Sequence, residues 1–473
     1  MHVLVLVFRV LVHVLGEGSV SIGRLVMSFI NKIFRGTKIP IGRYTYRGKG
    51  DFRGLALQLR VEPDGNGLLI INANTVLFLN DTSTAYAYFL LQGLTTEEII
   101  SKIRSIYRVK EGQARTDFEK LVYAVSTLAK TEEVDPISYL DLKKIEPFSK
   151  VYSAPLRVDM ALTFRCQNSC GHCYAGGSHK TDELTTMEWK QVIDHLYQIG
   201  VFILTFTGGE PTLREDLPEL LSYGQKKGLV TGLITNGRRL TDEIYVKSLE
   251  EAGLDFVQIT LESHNPEIHD SMTGNIGSWM ETVAGIKNLI PTQIYTTTNT
   301  TLSKYNSGDF LDTIDFAKDL GIAAFGCNSL IYSGKAKNLA EDFVLPLEDL
   351  KILLPKVQNK AAKLGLKFLW YTPTQYCRFN PVKLGLGIKS CSAAMINICI
   401  GPNGDVYPCQ SFFESLGNIL EDDWKSIWNH PLAVRIRNRE YVEPKCKQCA
   451  QLQICGGGCP LDLQKNHYLC VDM

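Results

Sequence analysis

The sequence predicts an α/β protein built around a partial, TIM-like (β/α)6 barrel, with a small α+β domain before the barrel and a cysteine-rich domain after it. In residues 158–372, strand-like runs alternate six times with helical patterns, which is typical of a parallel sheet. In residues 45–135, short strand-like runs precede three helices with start signals. In residues 373–473, the composition shifts to Cys, Gly and Pro. These three blocks define the predicted domains.

The overall composition narrows the possible partners and compartments. The chain has 473 residues, with 50 Lys and Arg balanced by 50 Asp and Glu, so no strong net field favours nucleic acid or an anionic membrane as a partner. Its 13 cysteines occur in clusters with short spacings, which favours metal ligation over the disulfide framework of a secreted protein. Ligating thiolates need a reducing compartment, so we expect the protein in the cytoplasm.

Residues 1–44 are predicted to be an extension outside the folded domains. Residues 2–15 are strongly apolar, but this run is shorter than the roughly 20 residues of a membrane-spanning helix. It also lacks the cationic start and the small-residue cleavage site of a signal peptide. An interfacial helix, a packing arm and an upstream start codon with Met27 as the true beginning are the open interpretations, and we favour the last two.

Residues 45–135 are predicted to form a small sheet followed by helices. Strand-like runs at 54–61 and 68–79 flank a turn signal at 63–67. Each of the three following helices has a side chain suited to bonding the free amides of its first turn. The residues expected to begin these helices are Asp81, Thr95 with Glu98, and Thr116 with Glu119.

Residues 136–157, which contain Pro136 and Pro147, are predicted to link this domain to the barrel. The six barrel strands are predicted at 157–164, 202–206, 230–234, 256–261, 293–298 and 323–328. In such sheets the active groups gather at the carboxyl ends of the strands. We therefore expect the motifs that follow these strands to meet in one site.

The first strand leads into a loop with three cysteines, Cys166, Cys170 and Cys173. Three thiolates on one short loop can hold three corners of an iron–sulfur cube and leave the fourth iron open to a ligand that is not protein. The alternative is a zinc knuckle, but zinc normally requires a fourth Cys or His with paired spacing.

With His172 before the third Cys, and with Gly208-Gly-Glu-Pro211 after the second strand, this loop resembles the signature of the radical S-adenosylmethionine (SAM) enzymes. The resemblance implies that SAM chelates the open iron of a [4Fe–4S] cluster. It further implies reductive cleavage of SAM to a 5′-deoxyadenosyl radical that abstracts hydrogen from a substrate. An external one-electron donor of the ferredoxin or flavodoxin type is then expected as a partner.

The same resemblance assigns residues to SAM binding by their places in the motifs. Asn236 ends the third strand, and Glu262 ends the fourth, where the family often has Asp. Asn299, after the fifth strand, is a further candidate to face the site. The residues implied to contact SAM are His172, Gly208, Gly209, Glu210, Pro211, Asn236 and Glu262.

The cysteine-rich tail carries the pattern Cys391-x12-Gly404-x4-Cys409, then Cys446-x2-Cys449-x5-Cys455-x3-Cys459, then Cys470. This pattern resembles the SPASM extension of radical SAM enzymes, which holds two auxiliary [4Fe–4S] clusters. One cluster is then implied on Cys446, Cys449, Cys455 and Cys470. The other is implied on Cys391, Cys409, Cys459 and an upstream thiol, for which we prefer Cys377 to Cys399. Cys327 and Cys399 remain as structural thiols, and zinc in four-cysteine sites is the alternative for this tail.

The segments 78–80, 90–93 and 96–100 resemble the winged-helix precursor-recognition domain of the pyrroloquinoline-quinone synthesis protein D type (PqqD-like). Domains of this type bind a leader peptide as an added strand at the edge of their sheet. A purely structural role for this domain is the alternative.

Taken together, the resemblances imply a radical SAM enzyme that oxidatively modifies a ribosomally synthesised peptide by forming a C–C, C–S or C–N bond. The second interpretation is a radical SAM enzyme of cofactor biosynthesis, acting on a tetrapyrrole side chain or in a tungstopterin-related step. The third is a non-catalytic iron–sulfur electron carrier or zinc scaffold. Gln410 stands where related sulfatase-maturing enzymes have an Asp proposed as base, and an amide cannot take that proton. The catalytic base stays unassigned, with Asp405, Glu262 and Tyr332 as candidates.

Overall fold

The computed structural model of the protein describes residues 39–47, 55–72, 75–130, 151–176, 182–339 and 342–465. The chain divides into two units, unit 1 up to Val134 and unit 2 from Asp135 onward. Most of the predicted N-terminal extension and of the predicted linker lies outside the described residues.

Unit 1 contains a four-stranded antiparallel sheet in the order β1-β2-β3-β4, so that β1 and β4 are its edges. Its strands are β1 (Gly42–Arg47), β2 (Ala56–Val61), β3 (Gly67–Ile71) and β4 (Thr75–Leu79). The sequence prediction of one strand over 68–79 was wrong, because this run forms two antiparallel strands. Asn72 lies between them with a left-handed φ of 49°, a conformation that Asn tolerates better than most residues. Strand β1 was not predicted.

The three predicted helices of unit 1 are present as α1 (Asp81–Leu91), α2 (Thr96–Ile106) and α3 (Glu111–Lys130). Thr95 and Glu98 form the predicted capping box of α2. The other two start predictions were wrong. Asn80, not Asp81, caps α1 by accepting a hydrogen bond from the Ser83 amide. Helix α3 begins at Glu111, so Thr116 lies inside it.

Unit 2 is an α/β fold whose central sheet has the order β11-β10-β9-β8-β7-β6-β5-β12-β13. The six strands β5 to β10 are parallel neighbours, as the sequence predicts. They are β5 (Arg157–Thr163), β6 (Ile203–Gly208), β7 (Val230–Thr235), β8 (Phe256–Thr260), β9 (Tyr295–Thr301) and β10 (Ala324–Asn328). Parallel β11 (Lys367–Trp370) extends the sheet beyond β10.

Two strands of the cysteine-rich tail join the other edge of this sheet. Strand β12 (Asn397–Ile400) pairs in parallel with β5, and β13 (Val406–Tyr407) pairs antiparallel with β12. The tail therefore begins as a continuation of the barrel sheet, beside the strand that leads into the three-cysteine loop.

Helices separate the parallel strands and cover one face of the sheet. They are α4 (Thr186–Gln198), α5 (Leu217–Lys226), α6 (Glu243–Glu251), α7 (Pro266–Thr273), α8 (Ser278–Leu289), α9 (Phe310–Asp319) and α10 (Leu347–Leu364). On α4, Trp189, Val192 and Leu196 are fully buried in the main core, which also contains alternate residues of β5. Each such side chain stabilises the fold by about 1.5–3 kcal/mol. Short helices follow in the tail: α11 (Trp424–Trp428), α12 (Pro431–Arg437), α13 (Pro444–Lys447), α14 (Leu452–Cys455) and α15 (Pro460–Lys465). No helix in the described ranges is both long and apolar enough to cross a membrane.

Candidate functional site

A cavity of about 170 Å³ lies at the carboxyl ends of the barrel strands. Its wall combines the three-cysteine loop with residues in or just after the carboxyl-terminal parts of β6, β7, β8, β9 and β10. The sequence-predicted residues that line it are Cys166, Cys170, His172, Cys173, Gly208, Gly209, Asn236, Glu262 and Asn299. The motifs that follow the strands therefore lie together at this edge of the sheet, as the sequence predicts.

The three cysteines of the loop are close enough to influence one another's ionisation. Burial raises the pKa of each thiol, and the neighbouring thiols and Glu262 raise that of Cys170 further. Thiols in such a setting stay protonated unless a cation replaces the proton. The loop therefore suits iron, whose positive charge would stabilise all three thiolates.

Gly208 and Gly209 allow the end of β6 to lie directly against this loop. A Cβ atom at Gly208, where φ is +139°, would lie 2.1 Å from the carbonyl oxygen of Thr163, and one at Gly209 would lie 2.3 Å from that of Arg165. The amides of Gly209 and Glu210 donate to these two carbonyls at 2.7 and 2.8 Å. Both glycines are thus required by the backbone approach itself.

Glu210 and Pro211 lie behind the cavity wall rather than on it. The Glu210 carboxylate is fully buried and accepts hydrogen bonds from the Thr212 amide and hydroxyl, the Thr235 hydroxyl and the Asn236 amide, at 2.7–3.1 Å. Burial raises its pKa, and these hydrogen bonds oppose that shift. Pro211 begins a short 3₁₀ helix. Through these hydrogen bonds, Glu210 connects the end of β6 to the end of β7.

Asn236 connects the end of β7 to the cysteine loop. Its side-chain oxygen accepts hydrogen bonds from the Arg238 amide at 3.0 Å and the Gln167 amide group at 3.4 Å. Its side-chain nitrogen lies 3.9 Å from the sulfur of Cys166. Asn236 therefore supports the loop at its first cysteine.

Glu262 connects the end of β8 to the other side of the loop. One oxygen of its fully buried carboxylate lies 2.9 Å from Nε2 of His172, and the other accepts the Thr301 amide at 2.8 Å. The His172 ring also stacks on Phe343, with the ring centres 5.4 Å apart. Because Glu262 is bonded in this way, it holds His172 in place between the last two cysteines.

His269 and Tyr174 also line the cavity, although their motifs assign them no role. His269 on α7 is buried and accepts the Glu262 amide at Nδ1, at 3.2 Å. Tyr174, the residue after Cys173, has its hydroxyl 3.4 Å from the side-chain oxygen of Gln410. Tyr174 and Gln410 both line the cavity. The cavity therefore extends from the cysteine loop to the tail residue that follows Cys409, a relation that only tertiary structure reveals.

Cys391, Cys409 and Cys459 are brought together in the tail. Burial raises the pKa of all three thiols, and the other two raise that of Cys459 further. The fourth ligand of this set stays a prediction. Cys377 is disulfide-bonded, and Cys399 is fully buried in β12 close to Cys409.

Cys446, Cys449 and Cys455 form the second group in the tail, on and between α13 and α14. Burial and the two neighbouring thiols raise the pKa of Cys446. The Cys455 sulfur accepts the Tyr376 amide at 3.2 Å. Cys470, the predicted fourth ligand, lies outside the described residues. Within the described ranges, no group of three or more His, Cys, Asp or Glu side chains is arranged to hold a single metal ion.

The candidate bases fall into two classes. Glu262 lines the cavity but is bonded to His172. Asp405 accepts the Asn403 side-chain amide at 2.9 Å, and neither Asp405 nor Tyr332 is part of the cavity wall. The site geometry assigns none of the three as a base.

Comparison with protein families gives two matches. Residues 160–317 match the radical SAM superfamily, and residues 391–450 match an iron–sulfur cluster-binding domain, SPASM. The first match contains the three-cysteine loop and the ends of β5 to β9. The second contains five of the cysteines predicted to be auxiliary ligands or structural thiols in the tail.

Individual relatives support the same assignment. The chain is 32% identical over 322 residues to an AdoMet-dependent heme synthase of Methanosarcina barkeri, which covers 64% of this chain and 91% of that protein. It is 28% identical over 331 residues to the mycofactocin maturase MftC of Mycolicibacterium smegmatis, covering 67% and 80%. In fold, it resembles Streptococcus suis SuiB bound to the precursor peptide SuiA, with a TM-score of 0.65 and 18% identity over 86% of this chain and 95% of that one.

These findings favour an enzyme over a non-catalytic carrier or scaffold. The cofactors that follow from both matched domains are SAM and [4Fe–4S] clusters. The described cysteines fit this demand, because nine of them occur in three groups of three neighbouring thiols, and bound iron would balance the charge of each group's thiolates. The chain therefore belongs to the radical SAM superfamily, as a member with a SPASM domain.

Proposed function

We propose that this protein is a maturase that oxidatively modifies a ribosomally synthesised peptide, forming a C–C, C–S or C–N bond. Unit 1 is the observation that carries the proposal. It is a small antiparallel sheet with two edge strands, followed by three helices, in the same chain as the barrel. Catalysis within the barrel does not require such a unit. A domain that recognises a peptide partner would explain why the chain contains it.

The similarity to SuiB supports this use of unit 1. The comparison covers 86% of the chain, which is more than unit 2 contains, so the likeness in fold extends into unit 1. The SuiB structure contains its precursor peptide. The relative MftC is likewise named as a maturase.

We infer that unit 1 is a winged-helix-like domain of the PqqD type and binds the leader segment of the precursor. An edge strand presents unpaired amides and carbonyls, and an extended peptide can add to it as a further strand. Strands β1 and β4 are the edges of this sheet. Main-chain hydrogen bonds would supply affinity there, and exposed side chains such as Phe78 on β4 would supply selectivity.

The residues around the cavity hold and orient the reacting groups. When bound, the cluster and SAM supply a 5′-deoxyadenosyl radical that removes hydrogen from the substrate. Cys166, Cys170 and Cys173 would hold the iron. Asn236 and Glu262 support the loop at its two sides, and Glu262 is fully buried, which limits access of water on its side. The two groups of tail cysteines would hold the auxiliary clusters.

The remaining partners follow from this chemistry. Reductive cleavage needs an external one-electron donor, for which we propose a ferredoxin or flavodoxin. The many unbridged thiols among the described cysteines need a reducing compartment, for which we propose the cytoplasm.

The proposal is tested with the reconstituted enzyme, SAM, dithionite and synthetic peptides from short reading frames beside the gene. Each peptide is supplied in full length and as a core without its leader. We expect mass spectrometry to show loss of two hydrogens in a full-length peptide and not in its core. Cys166→Ala should leave every mass unchanged. Release of 5′-deoxyadenosine without change in any such peptide would contradict the peptide assignment and leave the family assignment intact.

A tetrapyrrole is the second candidate substrate. The observation that favours it is the 32% identity to a protein named as a heme synthase. Incubation of the same enzyme with iron coproporphyrin tests it. Modification of a tetrapyrrole side chain, with all peptides untouched, would replace the first proposal by this one.

A further inference from the structure

His269 has a hydrogen-bond donor that the protein itself leaves unused. The ring is only 1% exposed, on helix α7. Its Nδ1 atom accepts the backbone amide of Glu262 at 3.2 Å. Because a backbone amide can only donate, Nδ1 carries no proton, and in the neutral ring the proton lies on Nε2.

The ring is neutral at physiological pH. Burial lowers the pKa of His269, and it outweighs the opposing effects of Glu262 and Asp270. Nε2 is therefore a fixed N–H donor. Within the described part of the chain it has no hydrogen-bond partner and no contact with solvent. Buried polar groups without a partner are rare, and each calls for an explanation, such as a ligand.

His269 is one of the residues that line the cavity containing the three cysteines. Glu262 links it to the loop, because the amide of Glu262 bonds His269 and its carboxylate bonds His172. The end of α7 is also tied to the loop, since the Thr273 carbonyl accepts the Ser169 amide at 2.9 Å. These hydrogen bonds thus hold His269 and the three-cysteine loop in the same cavity.

We propose that His269 donates a hydrogen bond from Nε2 to an oxygen of bound SAM, either of its carboxylate or of its ribose, and so positions SAM for cleavage. A carboxylate or hydroxyl oxygen is a suitable acceptor for this N–H group. The proposal rests on the family assignment and on the cavity. It does not depend on whether the substrate is a peptide.

Two substitutions separate this role from a structural one. In His269→Asn, the side-chain oxygen takes the place of Nδ1 and still accepts the Glu262 amide, but the donor at the Nε2 position is lost. In His269→Gln, an amide nitrogen reaches the Nε2 position and restores a donor. Comparison of the two variants therefore separates the loss of the N–H donor from the loss of the imidazole ring.

The measurement is the dissociation constant of SAM for the anaerobically reconstituted, unreduced enzyme, with iron per chain counted in parallel. We expect His269→Asn to weaken SAM binding about tenfold, the equivalent of one hydrogen bond. His269→Gln should recover most of the affinity, and the iron content should stay unchanged in both. Binding of 5′-deoxyadenosine, which has no carboxylate, assigns the acceptor: weakened binding in His269→Asn points to the ribose, and unchanged binding points to the carboxylate.

Three results would overturn the proposal. Unchanged SAM affinity in His269→Asn would show that the donor does not face SAM. Equal losses in both variants would assign the effect to the shape of the ring. Loss of iron in either variant would assign His269 to the support of the cysteine loop.

Discussion

At the scale of single residues, the sequence predicts candidate metal ligands more readily than the residues that support them. The spacing of Cys166, Cys170 and Cys173 predicts their common loop, because the three lie close in the chain and any compact loop brings them together. The roles of Glu262 and His269 depend on contacts between different strands and helices. A local sequence pattern carries no information about such partners, and so the sequence assigns no role to His269.

Gly209 provides a test of the close approach between β6 and the cysteine loop. We expect Gly209→Ala to push the loop away, because the new Cβ would lie 2.3 Å from the Arg165 carbonyl. Strain of this kind destabilises by about 1–3 kcal/mol. Iron content and thermal unfolding of the reconstituted variant measure the effect, and both should fall.

Gly112→Ala on α3 is the matched control, because a Cβ there meets no atom within 4 Å. Alanine in a helix should leave the stability unchanged or raise it slightly. Full iron content and normal unfolding of Gly209→Ala would refute the steric role of this glycine.

The buried, neutral His269 also predicts a pH dependence. Its pKa is lowered in the folded state, so the unfolded chain binds the proton first as pH falls. This contribution is fully favourable above the ordinary histidine pKa of about 6.5 and is lost as pH falls below it. We expect the wild type to lose more thermal stability between neutral and mildly acidic pH than His269→Gln does. Equal losses in the two proteins would contradict a buried neutral ring.

At the scale of elements, the periodicity of apolar residues predicts most helices and strands. It predicts their first and last residues less accurately. The pattern Thr-x-x-Glu occurs at Thr95 and at Thr116, but only Thr95 begins a helix. The pattern is local, and nothing before Thr116 breaks the helix that has already begun at Glu111. The strand predicted over 68–79 is interrupted by the polar stretch Asn72-Ala-Asn-Thr75, and the chain turns at Asn72, which has a left-handed conformation.

These two threonines form a matched pair for mutation. Thr95→Ala removes the cap of α2 and should destabilise it by about 1 kcal/mol. Thr116→Ala replaces an exposed residue inside α3 and should be neutral or slightly stabilising. Hydrogen exchange of the α2 and α3 amides measures both effects within unit 1. Faster exchange in α3 of Thr116→Ala than in α2 of Thr95→Ala would contradict the observed helix starts.

At the scale of the whole molecule, the sequence predicts the parallel barrel and the cysteine-rich tail. It does not predict that the tail extends the barrel sheet, because pairing of β12 with β5 joins residues more than two hundred positions apart. That pairing places Cys399 in a buried strand close to Cys409. Spacing alone therefore left two candidates for the fourth ligand of one auxiliary cluster.

We predict that Cys377 is that ligand once its disulfide bond is reduced. Cys377→Ala should lose about four irons per chain, the content of one cubane cluster, whereas Cys399→Ala should keep them. Iron analysis after anaerobic reconstitution measures both variants. The reverse result would make Cys399 the ligand and Cys377 the structural thiol.

The most direct test of the central claim is the release of 5′-deoxyadenosine from SAM by the reconstituted protein under dithionite, with iron counted on the same sample. We predict about twelve irons per chain, from three cubane clusters, and nucleoside release that is lost in Cys166→Ala. Zinc in place of iron, or no SAM cleavage by a fully loaded protein, would contradict the assignment of this chain as a radical SAM enzyme.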